Sequence, residues 1–233
     1  MIDWLNNIDT ETFLSLNSFR WNFADTFFVL FSGKWIWIPM YASILYVLFR
    51  DFGWKQAILM AVCVAAAITL ADQIGNSVMR PFFERPRPAN EDSPIADLAI
   101  YVEGHKPGGH YGFPSCHAAN TFALASLISL WIRRRALTVF LFLWALITCY
   151  SRIYLAAHYP GDLFVGALLG IAISILLYYL SILIGNKILK DGFRVGESGA
   201  SVMRLYRATN FYPSYSIILV GVLTILYICI VSL

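Results

Sequence analysis

Long apolar runs broken by short polar stretches make up most of the chain. Residues 27–49, 56–79, 115–132, 136–154, 163–185 and 214–233 each come close to the roughly 20 residues that an α-helix needs to cross a hydrocarbon core. Gly33, Lys34 and Pro39 interrupt the first of these runs. Ahead of it, Leu5, Ile8, Phe13, Leu16 and Phe19 recur at a spacing that lines one face of a short interfacial helix. The N-terminus lacks the basic start and apolar core of a cleavable signal peptide. The pattern predicts an all-α fold, a polytopic bundle of about six spanning helices with an N-terminal interfacial helix. Residues 1–233 are expected to form a single integral-membrane domain, with no internal repeat.

Composition agrees with the pattern. Of 233 residues, 59% are hydrophobic and 13% charged, where a soluble domain would carry about 25% charged residues. Thirteen Tyr and seven Trp suit the aromatic belts of a membrane bundle. A net charge of +3 gives no basis for a nucleic-acid partner. Cys63, Cys149 and Cys229 sit inside apolar runs and Cys116 has no obvious mate, so no disulfide is expected.

The basic residues choose an orientation. Arg50, Lys55, Arg133, Arg134, Arg135, Lys187, Lys190, Arg194, Arg204 and Arg207 fall on one side of the predicted bundle. Arg20, Lys34, Arg80, Arg85, Arg87, Lys106 and Arg152 fall on the other. The positive-inside rule makes the first side cytoplasmic and turns both termini outward. Arg133–Arg135 then reads as a topology anchor. The longest outer segment, residues 80–114, is rich in proline and long enough to act as a lid.

Three polar clusters fall on that outer side. In the run from Ser151 to Asp162, His158 precedes Asp162 by four residues, and Arg152 stands six residues before His158. A carboxylate on one imidazole nitrogen fixes the tautomer and frees the other nitrogen as a base or nucleophile. Arginine clamps phosphate through two parallel hydrogen bonds. Pro114-Ser115-Cys116-His117 opens an apolar segment, where Ser115 is a natural N-cap and the free N–H groups of the first turn suit an anion. Arg80, Arg85 and Arg87 follow the second run. Each cluster alone has a plain structural reading: an interfacial histidine, a capped helix, snorkelling arginines. Together they supply a nucleophile, an acid and a cationic clamp.

Their spacing resembles the type 2 phosphatidic acid phosphatase superfamily, whose pattern is K-x6-R-P, P-S-G-H and S-R-x5-H-x3-D. Here the pattern reads Arg80-x6-Arg87-Pro88, Pro114-Ser115-Cys116-His117 and Ser151-Arg152-x5-His158-x3-Asp162. Arg80 replaces a lysine, so a planar fork stands in for a point charge. Cys116 replaces a glycine, and its side chain is a candidate to crowd the phosphate. The resemblance implies metal- and cofactor-free hydrolysis of a membrane lipid phosphate in a bacterial inner membrane, with the site facing the periplasm. It implies that His158 attacks phosphorus, Asp162 orients it and His117 protonates the leaving oxygen. Arg80, Arg87, Arg152, Ser115 and Cys116 would hold the phosphoryl group. Lipid A phosphate and undecaprenyl diphosphate lead the substrates so implied, ahead of phosphatidylglycerophosphate and phosphatidic acid.

Asp72, Asn76 and Arg80 share a helix face, and Asp72 is expected to steer Arg80 from behind. His110 is a further candidate for substrate contact. Alternatives from other classes are a lipid phosphotransferase and a non-catalytic lipid-phosphate binder or transporter. Oligomeric state is open at this stage.

Overall fold

The apolar runs fold as helices in a computed structural model that describes residues 2–197, 202, 203, 206, 209 and 211–233. Arg204 and Arg207, counted above on the cytoplasmic side, lie outside the described residues. The named helices are α1 (Ile2–Asn17), α2 (Asn22–Phe31), α3 (Ile38–Phe52), α4 (Trp54–Phe83), α5 (Cys116–Ile132), α6 (Arg135–Tyr154), α7 (Pro160–Ile188) and α8 (Tyr215–Ser232). No strand occurs among the described residues beyond one isolated bridge, Pro86 to Tyr111.

Four helices, α4, α6, α7 and α8, are long and apolar enough to span a membrane. The run expected as a straight first span is instead broken: α2 and the helical stretch Trp35–Phe52 meet at 70°. The turn falls at Ser32-Gly33-Lys34, ahead of Pro39, where polar and helix-breaking residues meet. The expectation of about six spans therefore holds only if this bent pair and the short α5 are each counted as one.

Helix α5 is the hub. It packs most extensively on α7 and also on α6 and α4, and is buried nearly all round. Gly166 and Gly170 of α7 make the close approach, because a Cβ at either would come within 2.4 Å of Ser115 O or 2.1 Å of Ala119 O. Such small-residue seams let helices pack where lipid removes the hydrophobic incentive. Here the seam also fixes the α5 N-terminus beside the α7 N-terminus, where Ser115 N–H donates to Asp162 O at 3.0 Å.

At that same end, α1 packs against α6 and α7. Phe13 is fully buried with its ring 5.4 Å from Tyr159, while Trp4, Leu5, Ile8 and Phe19 are exposed. The predicted apolar face is thus shared between protein and surroundings. Asn17 is buried, donates to the carbonyls of Ile100, Ile153 and Tyr154, and accepts from Ile100 N–H.

Candidate active site

The C-terminal ends of α4 and α6 and the N-terminal ends of α5 and α7 meet at one end of the bundle, and their polar residues form one site. A π-helical turn over Ile74–Met79 rotates the end of α4 just before Arg80. The following loop is closed at its base: Arg87 N–H donates to His110 O at 3.1 Å and Gly112 N–H to Arg85 O at 2.9 Å. This clasp carries Arg85 and Arg87 over the start of α7.

His158 and Asp162 are buried together. His158 Nδ1 stands 3.5 Å from Asp162 Oδ2, an approach rather than a formed hydrogen bond, which leaves Nε2 as the other ring nitrogen. Asp162 is held from several sides. Its Oδ2 accepts the Tyr159 N–H at 3.0 Å, capping α7, and its Oδ1 pairs with Arg85 Nη1 at 2.8 Å. Arg85 Nη2 pairs in turn with Asp9 Oδ2 of α1 at 2.7 Å, and Asp9 Oδ1 accepts Gly161 N–H at 2.7 Å. The Arg85 guanidinium also lies 4.0 Å over the Tyr159 ring, whose hydroxyl meets Ser93 Oγ at 3.0 Å. Gly112 closes the last side. A Cβ there would sit 3.2 Å from Asp162 Oδ2 and 3.1 Å from Arg87 Cγ.

Burial, and then the charges of Arg87, Arg152 and Arg80, hold the His158 imidazole well below its ordinary pKa, so the ring is neutral at pH 7. Arg87, buried and near Arg80, is pulled down to about 10 and remains a cation. It donates to Tyr111 O at 3.3 Å and to Ala157 O at 3.5 Å.

Opposite this frame the cations are less engaged. Arg152 Nη1 donates to Ser32 Oγ in the break of the first span, while its Nε is buried without a partner. Arg80 Nη2 contacts Cys116 Sγ at 3.6 Å, and its Nε is likewise unpartnered. Ser115 caps α5 by accepting Ala118 N–H at 3.4 Å. Arg80, Arg87, Cys116 and His117 all line one cavity of about 580 Å3, joined by Lys34 from the first-span break. Below them its wall becomes apolar, with Trp37, Ile44, Leu48, Val64, Leu124 and Trp144. A phosphate with an attached hydrocarbon matches this shape. Among the described residues no three His, Cys, Asp or Glu side chains converge to hold a metal ion.

Several expectations need correction. Cys116 Sγ does not sit over the phosphate position alone; it fits the α4–α5 seam beside Gly75, where a Cβ would come within 2.9 Å of it. Asp72 forms no ion pair with Arg80 among the described residues; its Oδ1 instead accepts Asn120 Nδ2 at 3.1 Å, because α5 offers a nearer donor. His110 is outside the cavity lining, as are Ser115, Arg152, His158 and Asp162, but unlike the buried His158 it is solvent-exposed and approaches Asp92 at 3.4 Å. Sequence reasoning missed Asp9, Gly112 and Ser32 and treated Arg85 as a snorkelling cation. The only signal for Arg85 was its place inside the arginine- and proline-rich cluster.

Comparison with known proteins agrees with this geometry. The PAP2 superfamily model matches residues 56–184. The chain is 50% identical over 170 residues to a lipid A 4'-phosphatase of Bacteroides thetaiotaomicron, covering 73% of this chain and 75% of the relative. It is 31% identical over 177 residues to a lipid A 4'-phosphatase of Porphyromonas gingivalis, covering 76% and 74%. The fold is similar to LpxE of Aquifex aeolicus, with TM-score 0.54 and 27% identity over 73% of this chain and 94% of that one. A phosphatidylglycerolphosphate phosphatase of Bacillus subtilis shares the fold at TM-score 0.56 and 18% identity, over 80% and 88%. With its motifs gathered at one site and more than half its length matched, the chain belongs to the PAP2 superfamily, as an integral membrane protein.

Proposed function

We propose that this protein is a lipid phosphate phosphatase that removes the 4′-phosphate of lipid A through a phosphohistidine at His158. The observation that carries the reading is the neutral, buried His158, 3.5 Å from Asp162 and under the charges of Arg87, Arg152 and Arg80, with Arg80, Arg87 and His117 lining the adjoining apolar cavity. The choice of lipid A over undecaprenyl diphosphate rests on the two relatives named as lipid A 4'-phosphatases.

The chemistry follows from the positions. His158 Nε2 attacks phosphorus in line, forming the N–P bond as the P–O bond to the lipid breaks. Asp162 stabilises the positive charge that develops on the ring, and is kept in place by Arg85. His117, protonated once the phosphate dianion offsets the surrounding cationic charge, gives its proton to the departing lipid oxygen. It then takes a proton from the water that attacks the phosphohistidine, releasing phosphate and restoring His158. Arg80, Arg87, Arg152 and the N–H groups beside Ser115 and Cys116 neutralise the equatorial oxygens. The basic side chains clustered away from the site orient it toward the periplasm of an inner membrane. Residues 1–233 act in this reading as a single membrane domain.

The test is phosphate release from bis-phosphorylated lipid A by purified protein in detergent with EDTA, beside His158→Ala. Loss of the 4′-phosphate by the wild type, abolished in the variant, is expected. Release that survives in His158→Ala would refute the nucleophile, and release from the 1-position alone would refute the regiochemistry.

A further inference from the structure

Below the arginines, the cavity wall carries a second polar group that the phosphate chemistry does not use. Asp72 and Asn76 on α4 and Asn120 on α5 all line the cavity. Two of their bonds are made within the wall: Asn120 Nδ2 donates to Asp72 Oδ1 at 3.1 Å, and Asn76 Oδ1 accepts Cys116 Sγ at 3.5 Å. Acceptors remain on Asp72 and Asn120. Asn120 Oδ1 is buried without a partner, and among the described residues Asp72 is bonded by the Asn120 amide and paired with no cation. A carboxylate on the wall of an apolar cavity at membrane depth is costly unless something donates to it. It would also repel an anionic ligand unless that ligand brought a donor of its own. The group lies close to the phosphate cradle, since only Cys116 separates the Arg80 guanidinium from the Asn76 amide.

We infer that Asp72, Asn76 and Asn120 form a specificity site that takes a hydrogen-bond donor, an amide N–H or hydroxyl, carried by the substrate next to its phosphate. The inference rests on the lipid phosphatase reading above and narrows its substrate class. N-acylated and hydroxylated lipid phosphates satisfy the acceptors left on Asp72 and Asn120. Diacylglycerol phosphates offer only ester oxygens there, and polyprenyl diphosphates only hydrocarbon. A lipid without the donor displaces solvent from Asp72 and leaves the acceptors unpaired, which discriminates by about tenfold to a hundredfold. Asp72 is here a specificity residue that touches substrate, separate from the phosphoryl transfer itself.

The matched probes are ceramide 1-phosphate, with an amide N–H and a hydroxyl, and phosphatidic acid, with esters only. Both are two-chain phosphate monoesters. kcat/KM is measured on each with the full chain in detergent for the wild type, Asp72→Asn and Asp72→Leu. The expected result is a wild-type preference for ceramide 1-phosphate of at least about tenfold, expressed mainly in KM. Asp72→Leu shrinks that ratio to within about threefold, with Asp72→Asn between. No wild-type preference overturns the inference. So does a ratio unchanged in both variants while both rates fall together, which is the signature of Asp72 merely tying α4 to α5. The same pair of lipids is titrated against His158→Ala protein, so that binding reports the selectivity without turnover. Absence of phosphate release from every lipid, with selective binding intact, would refute the phosphatase reading and leave the specificity site standing.

Discussion

The two sides of the site are built differently. On one side, Asp162, Arg85, Asp9, Tyr159 and Gly161 hold one another with ion pairs and hydrogen bonds of 2.7 to 3.0 Å, all inside the protein. On the other, Arg80, Arg152 and Asn120 each keep a buried polar atom without a partner, and within the first frame only the His158 Nδ1 approach to Asp162, at 3.5 Å, is still to close. A fixed nucleophile needs no reorganisation when the substrate arrives, whereas a cradle must have hydrogen-bonding capacity left to spend on the phosphate. The contrast assigns rigidity to the histidine side and unmet valence to the cationic side.

The largest test of that contrast is the nucleophile itself. His158→Ala is expected to lower kcat by about 10⁴-fold or more with the fold intact, measured by phosphate release and thermal unfolding side by side. Removing the central cation of the rigid side comes next. Arg85→Ala leaves Asp162 and Asp9 facing each other without it, and is expected to destabilise the protein by about 3–5 kcal/mol. Asp9→Asn keeps the acceptor for Gly161 and removes one charge, so it should cost less than Arg85→Ala in the same unfolding assay. If Asp9→Asn were the more damaging, the relay through Arg85 would be the wrong description.

Gly112→Ala is milder. Its methyl would press on Asp162 and Arg87, so kcat should fall about tenfold for a stability loss of about 1–3 kcal/mol. Smallest is Ser32→Ala on the cationic side, which frees Arg152 from its hydroxyl partner. About 0.5–1.5 kcal/mol of local stabilisation goes with that hydrogen bond, seen as a few-fold change in KM with kcat nearly kept.

Protonation separates the two sides as well. The folded pKa of His158 lies well below its ordinary 6.5, so on acidification the unfolded chain takes up the proton first. The stability contribution is therefore full above pH 6.5 and declines as pH falls from there toward the folded value, while the folded ring stays a free base until pH nears that lower value. A histidine NMR titration of the free protein should show the His158 ring still mostly neutral at pH 6.5. A half-protonated ring at that pH would contradict the desolvated, arginine-ringed environment.

The fold was largely readable from the pattern of apolar runs. Predicted spans at 136–154, 163–185 and 214–233 differ from α6, α7 and α8 by a few residues at each end, because long apolar runs leave little freedom in placing a helix. The straight first span was the exception, where Gly33 and Lys34 mark a bend that length and hydropathy alone do not resolve. The motif residues were legible because their types and spacing carry the chemistry, and the structure brings His158, Asp162, His117, Arg80, Arg87 and Arg152 to one end of the bundle. What surrounds them was not. The Arg85–Asp162 and Asp9–Gly161 contacts join residues 77 and 152 apart in sequence, and no local periodicity encodes such pairings. Asp72 shows the converse failure: helical spacing put it on the Arg80 face, but its partner came from α5.

The most direct test of the central claim is to trap the enzyme during turnover. Lipid A labelled with radioactive phosphate at the 4′-position is mixed with the protein, quenched in alkali and mapped by peptide. The account predicts base-stable, acid-labile label on the peptide containing His158, absent from His158→Ala. Label on another residue, or full turnover with no labelled protein at any time, would contradict it.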